Sequence, residues 1–141
     1  MTTVWGAPRR AYELARDLAA GDRAAQDALW IGLTTQDQAD VVIAMGAQAR
    51  CAARFARTDH GVPVAIPAGT WDRITCSDIR AFTIDAWGGV RCARVPPDPC
   101  EYCLRTAAEV LAELHLTALV AIGVPRSMLA EVCARAAAGA R

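Results

Sequence analysis

The chain has 141 residues, 54% of them hydrophobic and 21% charged, with 15 acidic side chains balanced by 15 basic ones. That length supports one sizeable core, expected as a single domain over residues 1–141, and the composition excludes a disordered chain. Zero net charge excludes bulk attraction to nucleic acid or to an anionic membrane, while leaving room for a local basic patch.

All 15 cations are Arg; Lys and Asn are absent, and Ala is abundant. This reads as a compositional bias and not as special guanidinium chemistry. The segment Met1–Arg10 has no apolar signal core, and the longest mostly apolar run, Leu116 to Val124, is about half a membrane span. The expectation is a cytoplasmic protein without membrane association. Its six cysteines are then reduced and available as ligands, not joined in a disulfide framework.

Residues 1–57 read as three helices. Pro8 opens the first, Ala11, Leu14, Ala15 and Leu18 form its apolar stripe, and Gly21 closes it. Asp22 caps a second helix that buries Ala25, Leu29 and Leu33. Thr35 and Gln38 form a capping box for a third, Gln36 to Arg57, with Val42, Met45, Ala49, Ala52 and Ala56 facing the core. Alanine fills little volume, so Trp30 and Phe55 are expected to add bulk. Arg50, Arg54 and Arg57 share one side of this helix and are expected to form a solvated face that complements the helix dipole.

Residues 58–99 change character. Gly61, Pro63, Pro67 and Gly69 make a turn-rich crossing with at most one short strand at 62–66. Phe82, Ile84 and Ala86 alternate in 80–87, and Gly88-Gly89 can turn the chain into 90–95, so a β-hairpin is expected. The same residues also fit a helix, with Ser77 as cap, Ile79, Phe82, Thr83, Ala86 and Trp87 at helical spacing, and Gly88 as its end. The hairpin is preferred. Residues 100–141 then supply two helices, the last from Pro125 to about Ala138. The fold class is thus mainly α with a small β element (α+β), a helical bundle whose middle is stapled by a metal.

The metal follows from Cys100-Glu101-Tyr102-Cys103 at a helix start. Asp98 is placed as N-cap, Pro99 at the first helical position, and Glu101 to reach back in a capping box. First-turn N–H groups favour negative charge on sulfur, and tetrahedral zinc wants four soft ligands. Cys92 and Cys76 are the nearest candidates to complete the set Cys76, Cys92, Cys100, Cys103. In the hairpin reading Cys92 lies opposite Asp85 while Cys76 emerges near Cys100. The alternatives are a buried apolar role for Cys100 or Cys103, iron–sulfur ligation, and thiol redox chemistry. Glu101 opposes the last of these, because its carboxylate disfavours a nucleophilic thiolate. Cys51 and Cys133 are assigned to the core.

Other sites are weaker. Residues 119–132 resemble the turn and second helix of a helix-turn-helix, with Gly123 in the turn and Arg126, Ser127 and Arg135 facing DNA. Leu119 stands where a small residue is usual, and the second helix is mostly alanine with Glu131. His60 and His115 belong to no catalytic motif; His115 is expected to be satisfied or half-exposed. Trp5 and Trp30 are assigned to the core. The expected function is a non-catalytic regulatory or adaptor protein with structural zinc that binds a macromolecule, protein favoured over nucleic acid. The alternatives are a DNA-binding regulator and a CxxC redox protein.

Overall fold

The computed structural model describes residues 6–90 and 93–140. These contain six helices: α1 (Ala7–Ala20), α2 (Arg23–Ile31), α3 (Thr35–His60), α4 (Ser77–Gly88), α5 (Glu101–Ala121) and α6 (Leu129–Gly139). Single 3₁₀ turns lie at Trp71–Arg73 and Arg126–Met128. The long helices α3 and α5 pack along each other, α1 lies against both, α6 covers α1, and α4 covers α3 with a smaller contact to α5. None of these helices is long and apolar enough to cross a membrane.

No strand occurs among the described residues, so the expected β-hairpin is corrected, and the crossing at 62–66 carries no strand. Burial explains why. A hairpin puts Phe82, Ile84 and Ala86 on one face, but Ile84 is 40% exposed while Ile79, Phe82, Thr83 and Ala86 are buried. That is helical spacing, and it delivers the bulk the alanine-rich helices lack. The glycine pair ends the helix instead of turning a hairpin. Gly89 takes φ 77°, and its N–H bonds back to the Ala86 and Asp85 carbonyls.

The first three helices have the expected order with shifted ends. Asp22 caps α2, accepting from the Ala25 N–H at 3.0 Å. Leu33 is buried beyond the end of α2, whose buried residues are Gln26 and Trp30, one position on from Ala25 and Leu29. Thr34, not Thr35, caps α3, accepting from the Asp37 N–H at 3.1 Å. Core bulk comes from Phe82, Met45, Ile74, Ile79, Leu104 and Leu111 together with Trp30. Phe55 is 44% exposed, edge-on to the His60 ring, and so does not serve the core. Trp5 lies outside the described residues.

Candidate metal centre

Two helix N-termini converge on three thiols. Cys76, in extended conformation (φ −75°, ψ 119°), is the N-cap of α4, and Cys100 (φ −69°, ψ 114°) is the N-cap of α5. Cys103 lies in the first turn of α5. The α5 start falls two residues later than expected from Asp98. Asp98 instead takes φ 48°, and the Glu101 carboxylate accepts from the Thr35 hydroxyl at 3.0 Å, tying α5 to α3. Neither N-cap cysteine spends its side chain on a capping hydrogen bond. Both sulfurs are thus left to face each other in the positive field of the helix ends.

The three Sγ atoms all lie within 4.8 Å of one another. Sulfurs bound to zinc at about 2.3 Å in tetrahedral geometry sit roughly 3.8 Å apart, so small χ1 adjustments bring this set onto one ion. Cys103 is buried, Cys76 half-buried and Cys100 exposed. Burial opposes ionisation of Cys103, yet its pKa is brought down to about 7 by hydrogen bonds from the Thr75 hydroxyl, the Cys76 amide and the Cys76 and Cys100 thiols. The Thr75 Oγ1–Cys103 Sγ distance is 3.5 Å. Cys76, which donates to Cys103, is pushed up to about 12 by that bond, by desolvation and by its bond to Cys100. The innermost sulfur is thus the hydrogen-bond acceptor of the cluster, with Thr75 and Cys76 beside it. Thr75 is the one member the sequence reading missed, and its only signal was adjacency to Cys76.

The structure brings together Cys76, Cys100 and Cys103, a donor set able to hold a metal ion. Cys92 lies outside the described residues. Of the two cysteines assigned to the core, Cys133 is buried and Cys51 is exposed, which corrects the latter. Cys51 lines an apolar recess of about 440 Å³ together with Tyr12, Phe55, His115 and Cys133. His115 is also corrected: it is neither half-exposed nor satisfied. It is 5% exposed, its ring meets Tyr12 edge-on at 5.9 Å, and its Nδ1 has no hydrogen-bond partner among the described residues.

The last helix starts at Leu129 and not at Pro125, so of the residues expected to face DNA only Arg135 lies on it, while Arg126 and Ser127 precede it. Gly123 turns the chain at φ 99°, Arg126 and Ser127 are exposed in the 3₁₀ turn, and Arg135 is exposed on α6. Arg135 is paired with Glu131 at 2.8 Å, one helical turn away.

The chain matches no family model, no curated protein and no solved structure.

Proposed function

We propose that this chain is a non-catalytic helical protein in which a structural zinc ion joins the start of α4 to the start of α5, and that it acts as an adaptor for a protein partner. The observation that carries the zinc reading is the meeting of Cys76, Cys100 and Cys103 within 4.8 Å at two helix N-termini. Three cysteines with a fourth donor make a closed tetrahedral site, the arrangement of structural zinc. Cys92, eight residues before Cys100, is the candidate for the fourth position. Zinc is favoured over a redox role because a third thiol, Cys76, stands beside the pair and supplies the further ligand a tetrahedral site needs, whereas a dithiol–disulfide couple uses two.

The protein-partner reading draws on the surface beside the site. Ile31 and Tyr102 are 78% and 74% exposed, and both line one recess with Trp30, Leu33 and Arg105. Exposed Tyr and aliphatic groups around an Arg are the composition of protein-interface anchors. Tyr102 stands between the two cysteines of the pair, so a metal that fixes the first turn of α5 also fixes this anchor. The paired state of Arg135 and the presence of Glu131 weigh against the DNA alternative through Arg126, Ser127 and Arg135.

Cobalt titration tests the metal reading. The full chain should develop the charge-transfer absorption of thiolate-bound cobalt, reversed by zinc and absent from a Cys100→Ser/Cys103→Ser variant. No such absorption would remove the metal centre. For the partner, an Ile31→Ser/Tyr102→Ser variant should keep its metal and lose a protein that co-purifies with the native chain. Undiminished co-purification would remove this interface.

A further inference from the structure

The expectation for Arg50, Arg54 and Arg57 was a solvated face, but the structure gives them a common recess. A cavity of about 350 Å³ between the C-terminal part of α3 and the end of α4 is lined by these three residues with Ala53, Pro63, Val64, Trp87 and Gly88. No acidic side chain is among them. Arg16, Arg23, Arg73, Arg105 and Arg135 all have carboxylate partners, whereas Arg50, Arg54 and Arg57 have none among the described residues. In a chain of zero net charge, three unneutralised guanidinium groups around one recess amount to a local concentration of positive charge.

The three are not equivalent. A Cβ placed on Gly89 would come within 2.1 Å of an Arg50 terminal nitrogen, so Arg50 lies pressed over the last turn of α4. There its charge offsets the negative end of the α4 dipole, which would otherwise repel an anion entering the recess. Arg54 and Arg57 are exposed and free to turn toward a ligand. Guanidinium groups present a planar fork of donors that matches phosphate oxygens. The rest of the lining is apolar and aromatic, and a cavity of this volume is at the small end of small-molecule sites.

We propose that this recess binds a nucleotide, its phosphates held by Arg54 and Arg57 beside Arg50 and its base packed against Trp87. The phosphate supplies the charge the arginines lack, and the base supplies an aromatic surface for the indole, a stacking contact that recurs in nucleic-acid complexes. This site is separate from the cysteine cluster and from the Ile31–Tyr102 face, and it stands or falls independently of the zinc reading.

Calorimetric titration of the full chain with ADP, inorganic pyrophosphate, adenosine and a short single-stranded RNA tests it, at low salt so that charge contacts are not screened. ADP should bind more tightly than pyrophosphate or adenosine. Arg54→Ala/Arg57→Ala should weaken ADP about tenfold or more while leaving thermal unfolding unchanged. Trp87→Leu should remove the advantage of ADP over pyrophosphate, and its retained pyrophosphate binding reports that it is folded. No ADP binding, or ADP binding indifferent to the double Arg variant, would overturn the site. Pyrophosphate binding as tightly as ADP would overturn the role of Trp87, and RNA binding more tightly than ADP would overturn the small-molecule assignment.

Discussion

Gly46 of α3 lies directly against the backbone of Ala86 in α4: a Cβ at position 46 would stand 2.7 Å from both the carbonyl carbon and oxygen of Ala86. This contact sets how closely α4 approaches α3, and α4 carries Cys76 at its other end. In an exposed helix, Gly→Ala gains about 1 kcal/mol from reduced backbone entropy. Here the new methyl has no room, and neither partner atom is the end of a flexible side chain. Overpacking costs about 1–3 kcal/mol, so the clash outweighs the propensity gain. Gly46→Ala should therefore lower stability in urea unfolding; an increase would mean that the two helices separate freely.

His115 predicts a specific acid sensitivity. Burial lowers its pKa from 6.5 to about 4, so the folded protein holds it neutral while the unfolded chain protonates it more readily. The stability tied to neutral His115 is complete above about pH 6.5 and is lost as pH falls toward about 4. The loss between about pH 7.5 and about pH 5 is about 2 kcal/mol. His115→Leu should remove that part of the pH dependence. Parallel stability–pH curves for the native and variant proteins would contradict the burial of this ring.

Thiol labelling separates the cysteines by environment. Cys51 is exposed and lies apart from the cluster, and Cys133 is buried with its pKa pushed up to about 11 by desolvation. Alkylation should modify Cys51 at the same rate with or without added zinc and leave Cys133 unmodified in the folded protein. Cys100 should become protected when zinc is added. Equal labelling of Cys100 in both conditions would mean that it is no ligand.

Capping supplies a stability test independent of metal. The Thr34 hydroxyl accepts from the Asp37 N–H at 3.1 Å at the start of the longest helix. Thr34→Ala should cost about 1 kcal/mol, and Thr34→Ser much less, in thermal or urea unfolding. Unchanged stability in Thr34→Ala would contradict its role as the cap.

The helices at both ends of the chain were legible because their apolar residues recur at helical spacing between clear stop signals such as Gly21. Residues 79–87 were ambiguous because Phe82, Ile84 and Ala86 alternate while Ile79, Phe82, Thr83 and Ala86 also fit a helix. What decided between them was the exposure of Ile84, a tertiary property that no local pattern contains. The same error misplaced Cys76: in a hairpin it stands at the open end of a strand, whereas in the structure it caps a helix directed at α5. The cysteine pair itself was legible from spacing. Cys76 was among the neighbours expected of the pair, but the way it reaches them depended on the fold of 77–88. The recess around Arg54 and Arg57 was not legible, because it needs Trp87 and Pro63 brought beside α3 from separate stretches of chain.

The most direct test of the zinc-stapled account is elemental analysis of the full chain purified without chelator, alongside a Cys76→Ser/Cys103→Ser variant. The account predicts about one zinc per native chain, none in the variant, and a lower unfolding temperature once the metal is removed. A metal-free native protein whose stability does not respond to added zinc would contradict it.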